Sequence, residues 1–315
     1  MNKKILIILV CILFIIIGFI LGSLFKSNSI NKHEATQIAP STQEKIISDN
    51  LPKALSIDTI NNIKNLVAED EGTDYSIYVS TLNDKQAYIY NEKQFRSASM
   101  IKVFILAKAM EEIFQGKLDE DKILILREED KVGGAGSLIG YPNGSELPVS
   151  EILRLMIIQS DNTATNMMID LLGMDNINEY IQREGYNDTV LHRKMMDIAA
   201  IEEGKRNFTS AKDLGTIFTK LYKHQCISPK LDDKMIDLLS QQTDVECFPE
   251  ALPNRKIAHK TGELMELYHD GGIIYNSNHN YVLCILTDNI QTRNTTLTTM
   301  RQITKLIDAD INKQY

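Results

Sequence analysis

The chain has 315 residues, 43% hydrophobic and 24% charged, which places it among folded globular proteins and leaves room for one large domain or two modest ones. Its formal charge of −8, with no basic run interleaved with aromatics, argues against a nucleic-acid partner. In chain order, residues 5–25 come first and contain no charge. At about 1.5 Å per residue they reach roughly 30 Å, the thickness of a bilayer's hydrocarbon core. Lys3 and Lys4 precede this run and Lys26 follows it, so the positive-inside bias predicts a single-pass cell-membrane protein with its domain outside the cytoplasm. An uncleaved anchor over 1–26 is favoured because the apolar run exceeds a usual signal-peptide core; if it were cleaved, near Ser27 and Ser29, the protein would be secreted.

Residues 27–45 are polar and read as a tether, with the folded domain over 46–315. The pattern there predicts a helix over 56–70 and a hairpin of 74–82 with 86–91, turning at Asn83 and Asp84. A helix apolar nearly all round covers 99–117 and stops at Gly116. Further helices are expected over 150–159, 162–173, 176–185, 211–223 and 228–241, then strands over 256–262, 271–276 and 280–288, and a closing helix over 298–312. Strands first, helices in the middle and strands last argue for an α+β fold in which both ends of the chain join one antiparallel sheet. Cys226, Cys247 and Cys284 form no metal-ligand spacing and allow at most one disulfide, and the six histidines do not pair at helical spacing. No metal or cofactor is expected.

Three short motifs carry the chemistry. Ser99 and Lys102 stand three apart at the start of the buried helix, on one helical face, so the amine can reach the hydroxyl; burial makes such a lysine easier to neutralise. Ser160, Asp161 and Asn162 lie between two helices, where Asp161 or Asn162 could serve only as a cap. Lys260, Thr261 and Gly262 end a strand, where a polar turn is the ordinary explanation. Each is common alone. In this order, with "SDNTATNMMIDLLG", "GGAGSLIGYPNGSELPVSEILRLMI" and "HKTG" followed by "GGIIY", the sequence from about residue 50 onward resembles the class A-like branch of the penicillin-recognising serine hydrolases, the β-lactamase and penicillin-binding protein superfamily.

The resemblance implies a five-stranded antiparallel sheet flanked by terminal helices, an all-helical lobe, and the active site between them. It implies that Ser99 attacks an amide carbonyl with Lys102 as base or proton relay, and that Ser160, helped by the charge of Lys260, passes a proton to the leaving nitrogen. Asn162 would then bind the substrate's amide side chain, Thr261 its carboxylate, and the backbone N–H groups of Ser99 and Glu263 the oxyanion. The implied partner is a small β-lactam or, on the alternative reading as a D,D-peptidase or penicillin-binding protein, a cell-wall peptide.

One stretch departs from that pattern. The resemblance implies a glutamate in an R-x-E-x-x-x-N motif to activate the deacylating water. With Leu191 and Arg193 aligned on the motif, Met195 stands at the glutamate position and Ala199 at the asparagine position. A shifted alignment offers Glu203 and Asn207 instead, although "EEGKR" reads as a solvated turn around Gly204. No arginine accompanies "HDGGIIY" to hold a substrate carboxylate, which leaves Thr261, Lys260 or His269 for that task.

Overall fold

The computed structural model describes residues 54–82, 87–276 and 279–313, so the anchor and tether expected before residue 46 lie outside it. Helix α1, Ile57–Glu69, starts at Ser56, whose hydroxyl accepts from the Thr59 N–H at 3.3 Å and caps the first turn. Strands β1, Asp74–Ser80, and β2, Tyr88–Tyr90, pair antiparallel as the alternating pattern predicts, and β3, Phe95–Arg96, follows. A 3₁₀ turn, Ala98–Ile101, then runs into α2, Lys102–Phe114, buried from Lys102 through Met110. Gly116, just past its end, adopts φ +68, the left-handed conformation that closes a helix.

The middle of the chain is helical. It holds the small hairpin β4, Ile123–Ile125, with β5, Glu146–Pro148, and the helices α3, Val149–Ile158, α4, Asn162–Leu172, and α5, Met174–Arg183. A short α6, Ile198–Glu202, precedes β6, Phe208–Thr209, which pairs with β3. Then come α7, Ala211–Tyr222, α8, Pro229–Ser240, and α9, Phe248–Ala251. Strands β7, Lys256–Leu264, β8, Leu267–Tyr275, and β9, Tyr281–Asp288, return to the sheet, and α10, Arg293–Lys313, closes the described chain.

The five-stranded sheet has the order β2-β1-β9-β8-β7, antiparallel throughout, with β1 from the start of the domain lying against β9 from its end. Its two faces explain why β9 reads as one apolar run. Val282, Cys284 and Leu286 pack into the core shared with the helical lobe, while the alternating Tyr281, Leu283 and Ile285 pack under α1 and α10. Both sides of the strand are therefore dry. This is the expected α+β architecture, with α1 and α10 flanking the sheet on one face. No helix among the described residues is long and apolar enough to cross a membrane. Cys226, Cys247 and Cys284 are free thiols.

Candidate active site

Ser99 sits on the 3₁₀ turn rather than inside α2, one residue after Ala98, whose φ of +43 places a non-glycine backbone in the left-handed region. The turn is held from both sides. The Ser97 N–H donates to the Asn207 carbonyl at 2.8 Å, and a Cβ on Gly262 of β7 would come within 3.2 Å of the Ser99 nitrogen, a tight contact that a larger residue could make only by moving strand from turn by a few tenths of an ångström.

Lys102 is completely buried. Contrary to the expectation that its amine reaches Ser99, its Nζ donates to the Ser160 carbonyl at 2.6 Å, to Ser160 Oγ at 3.1 Å and to Asn162 Oδ1 at 2.9 Å. Burial, and then the positive charge of Lys260, hold its pKa well below the ordinary lysine range, with Asp161 acting the other way. Lys260, also fully buried, donates to Ser160 Oγ at 3.1 Å and to the Thr261 carbonyl at 2.8 Å. Burial brings its pKa down to about 8, against the pull of Asp244 and Asp270. Ser160 thus receives two lysines on one hydroxyl, and its own backbone is held at φ +54.

Asp161 is the cap that sequence reasoning allowed. Its Oδ1 accepts from the Ala164 N–H at 2.8 Å and begins α4, and its Oδ2 accepts from the Leu138 N–H at 2.8 Å. Asn162 is buried beside the cleft, its Nδ2 donating to the Gly133 carbonyl at 3.0 Å. Thr261 is buried on β7. The Glu263 carboxylate accepts from Arg293 Nε at 2.6 Å. All seven candidate residues therefore gather where the 3₁₀ turn, the α3–α4 junction and β7 meet.

A cleft of about 370 Å³ opens here, lined by Ser99, Asn162 and Glu263 together with Met195, Met196, Arg193 and Arg206. Met195 is pinned by its backbone: its N–H donates to Asn166 Oδ1 at 2.7 Å and its carbonyl accepts from Asn166 Nδ2 at 3.0 Å. Glu203, the shifted candidate, is exposed at the end of α6 and pairs with Lys205 at 2.9 Å, away from the cleft lining. Asn207 instead folds inward and clamps the residues just before Met195, its Oδ1 accepting from the His192 and Arg193 N–H groups at 2.8 and 3.0 Å. The expectation for His269 is corrected. It is fully buried, its Nδ1 accepts from the Thr287 N–H at 3.1 Å, its Nε2 donates to the Arg96 carbonyl at 2.7 Å, and burial lowers its pKa to about 4, so it is a neutral structural group. Three arginines, Arg96, Arg193 and Arg206, border the cleft, and only Arg193 had drawn notice in the sequence.

Comparison with known proteins follows the geometry. The curated β-lactamase VEB-1 of Pseudomonas aeruginosa is 24% identical over 189 residues, 55% of this chain and 61% of that protein, so the chain spans about three fifths of that relative's length. Among solved structures, a β-lactamase from Sphaerobacter thermophilus superposes with a TM-score of 0.76 at 25% identity, over 80% of this chain and 98% of the other. PBP-A gives 0.77 at 26% identity, over 83% and 98%. A leucine-to-glutamate variant of PBP-A, solved as an acyl-enzyme complex with penicillin G, gives 0.76 at 26% identity, over 84% and 100%. The model of the Beta-lactamase enzyme family matches residues 58–311, nearly the whole described fold, and the chain belongs to that family.

Proposed function

We propose that this protein is an exported serine hydrolase that opens β-lactam amides through an acyl-enzyme on Ser99 and releases the acyl group slowly. The observation that carries the reading is the Ser160 hydroxyl held at 3.1 Å by each of two buried lysines. Once neutral, Lys102 has two N–H donors, which suffice for the Ser160 carbonyl and Asn162 Oδ1, and its lone pair turns to Ser160 Oγ–H, so it takes the proton of Ser99 Oγ through Ser160 as the Oγ–carbonyl bond forms. The oxyanion is received by the backbone N–H groups of Ser99 and Glu263. The C–N bond then breaks, the nitrogen taking a proton from Ser160 Oγ–H, which the Lys102 ammonium replaces across their 3.1 Å contact while the Lys260 charge favours the transfer. Asn162 holds the side-chain amide of the substrate and Thr261 its carboxylate. The penicillin G acyl-enzyme formed by the PBP-A variant supports this chemistry in a fold of the same kind.

Slow release follows from what borders the ester. Met195 stands in place of the glutamate of class A enzymes, and the one carboxylate among the described residues of the cleft lining, Glu263, is engaged by Arg293. A thioether activates no water. This favours, as the second reading, a penicillin-binding protein or D,D-peptidase whose natural substrate is a cell-wall peptide. In both, residues 5–25 anchor the domain outside the cytoplasm.

Labelling the purified domain with a fluorescent penicillin tests the proposal. We expect stoichiometric label that is lost in Ser99→Ala, persists over many turnovers' worth of time for a β-lactamase, and leaves faster, by about tenfold or more, in Met195→Glu. Glu203→Gln should leave the release rate unchanged. Absence of label on the wild-type domain would sink the acyl-enzyme, and rapid release from it would sink the reading of Met195.

A further inference from the structure

The cleft holds more positive charge than the proposed reaction uses. Arg96 is matched by Asp288 and, at 3.2 Å, by Glu266, and Glu263 is matched by Arg293. Arg193 and Arg206 remain. Both border the cleft, and among the described residues neither forms an ion pair with a carboxylate. Their recorded bonds go to backbone carbonyls: Arg193 Nη1 to Lys194 at 2.9 Å, and Arg206 Nη1 to Ile201 and Lys205 at 2.6 and 2.9 Å. The Arg193 Nε is buried with no hydrogen-bond partner among the described residues.

The fold forces the two guanidinium-bearing residues together. Asn207, next to Arg206, accepts from the Arg193 N–H and donates to the Arg193 carbonyl at 3.0 Å each, so the ends of the loop are stapled by an uncharged amide that cancels nothing. The pair repel: burial and then Arg206 lower the pKa of Arg193. Asp197 attracts Arg193, but its Oδ1 accepts from the Ala200 N–H at 3.0 Å and caps α6. Two partly desolvated like charges, with free N–H donors and no carboxylate in hydrogen-bonding contact, are relieved by an anion received between them, and guanidinium is matched best by the two oxygens of a carboxylate.

We infer that Arg193 and Arg206 form a carboxylate-binding subsite for the acyl side chain of the substrate. The preferred acyl donor accordingly carries a second negative charge on the side-chain arm, apart from the carboxylate assigned to Thr261. The inference rests on the reading that Ser99 is acylated with Asn162 holding that side chain, since Asn162 and the two arginines share one cleft.

The test compares benzylpenicillin with its α-carboxylated analogue, carbenicillin, which differ by one carboxylate on the side chain. The second-order rate constant for acylating Ser99 is measured for each in wild-type protein and in Arg206→Gln and Arg206→Lys. The structure leads us to expect carbenicillin to be favoured about tenfold over benzylpenicillin, the preference to vanish in Arg206→Gln and to return in part in Arg206→Lys, and added salt to shrink it. An equal ratio in wild type, or one unmoved by Arg206→Gln, would overturn the subsite. Equilibrium binding of the same two compounds to Ser99→Ala reads the ratio without chemistry. If neither penicillin acylates the wild type, the hydrolase reading falls while this binding ratio still decides the subsite.

Discussion

Lys102 and Lys260 have the same side chain and opposite tasks, and their surroundings separate them. Lys102 feels burial and the charge of Lys260, opposed by Asp161 alone, whereas Lys260 has both Asp244 and Asp270 to hold its proton against the same burial. Acylation should therefore rise from acid pH as Lys102 loses its proton, well below the ordinary lysine range, and fall as Lys260 loses its own near pH 8. Lys260→Arg retains the charge far above that pH and should carry the alkaline limb upward by about one unit or more in a pH profile of the acylation rate constant. A limb that stays near pH 8 would separate it from Lys260. The residues of this site were legible because S-x-x-K, S-D-N and K-T-G keep their spacing in the chain. The aim of the Lys102 amine was not. A helical repeat places Ser99 and Lys102 on one face, but Ser160 and Asn162 supply three acceptors that outcompete a single hydroxyl.

The loop between α5 and β6 keeps its shape through three asparagines that grip adjacent backbone, Asn178 on Leu191, Asn207 on residues 192 and 193, and Asn166 on Met195. Replacing Asn166 with alanine leaves a buried N–H and a buried carbonyl of Met195 without partners, at about 1–3 kcal/mol for each. We expect the melting temperature of Asn166→Ala to fall by about 5 °C or more, with amide hydrogen exchange speeding first in residues 191–207. Unchanged exchange in that loop would mean that other contacts hold it. These clamps were invisible in the sequence, where Asn207 stood out only as a possible companion of Glu203, because an asparagine that bonds distant backbone looks like any loop asparagine. The pairs β3–β6 and β4–β5 were also missed. Each strand has only two or three residues and its partner lies far along the chain, so no hairpin signal announces the pairing as it did for β1 with β2.

At the scale of the molecule, the order of strands and helices was enough to bring both ends of the domain into one sheet, and the register of β1 on β9, Asp74 opposite Asp288 through Ser80 opposite Val282, makes that closure continuous. Helix α10 seals it. Its Leu297, Met300, Ile303, Ile307 and Ile311 are almost wholly buried, and Asp310 accepts from the N–H and hydroxyl of Ser56 at 2.8 and 2.7 Å, fastening it to the start of α1. Five such side chains contribute roughly 1.5–3 kcal/mol each, comparable to the about 5–15 kcal/mol by which a whole domain is stable. Deleting residues 293–315 should leave no cooperative thermal transition and an aggregated product. A soluble truncated domain with a sharp melt would show that the sheet stands without its closing helix. A different consequence follows from Ser160, whose hydroxyl is met by one lysine 58 positions earlier and another 100 positions later. Contacts so distant along the chain are among the last to assemble. Uptake of a penicillin label thus doubles as a gauge of conformational maturity, counting only molecules in which the helical lobe and the sheet have already docked.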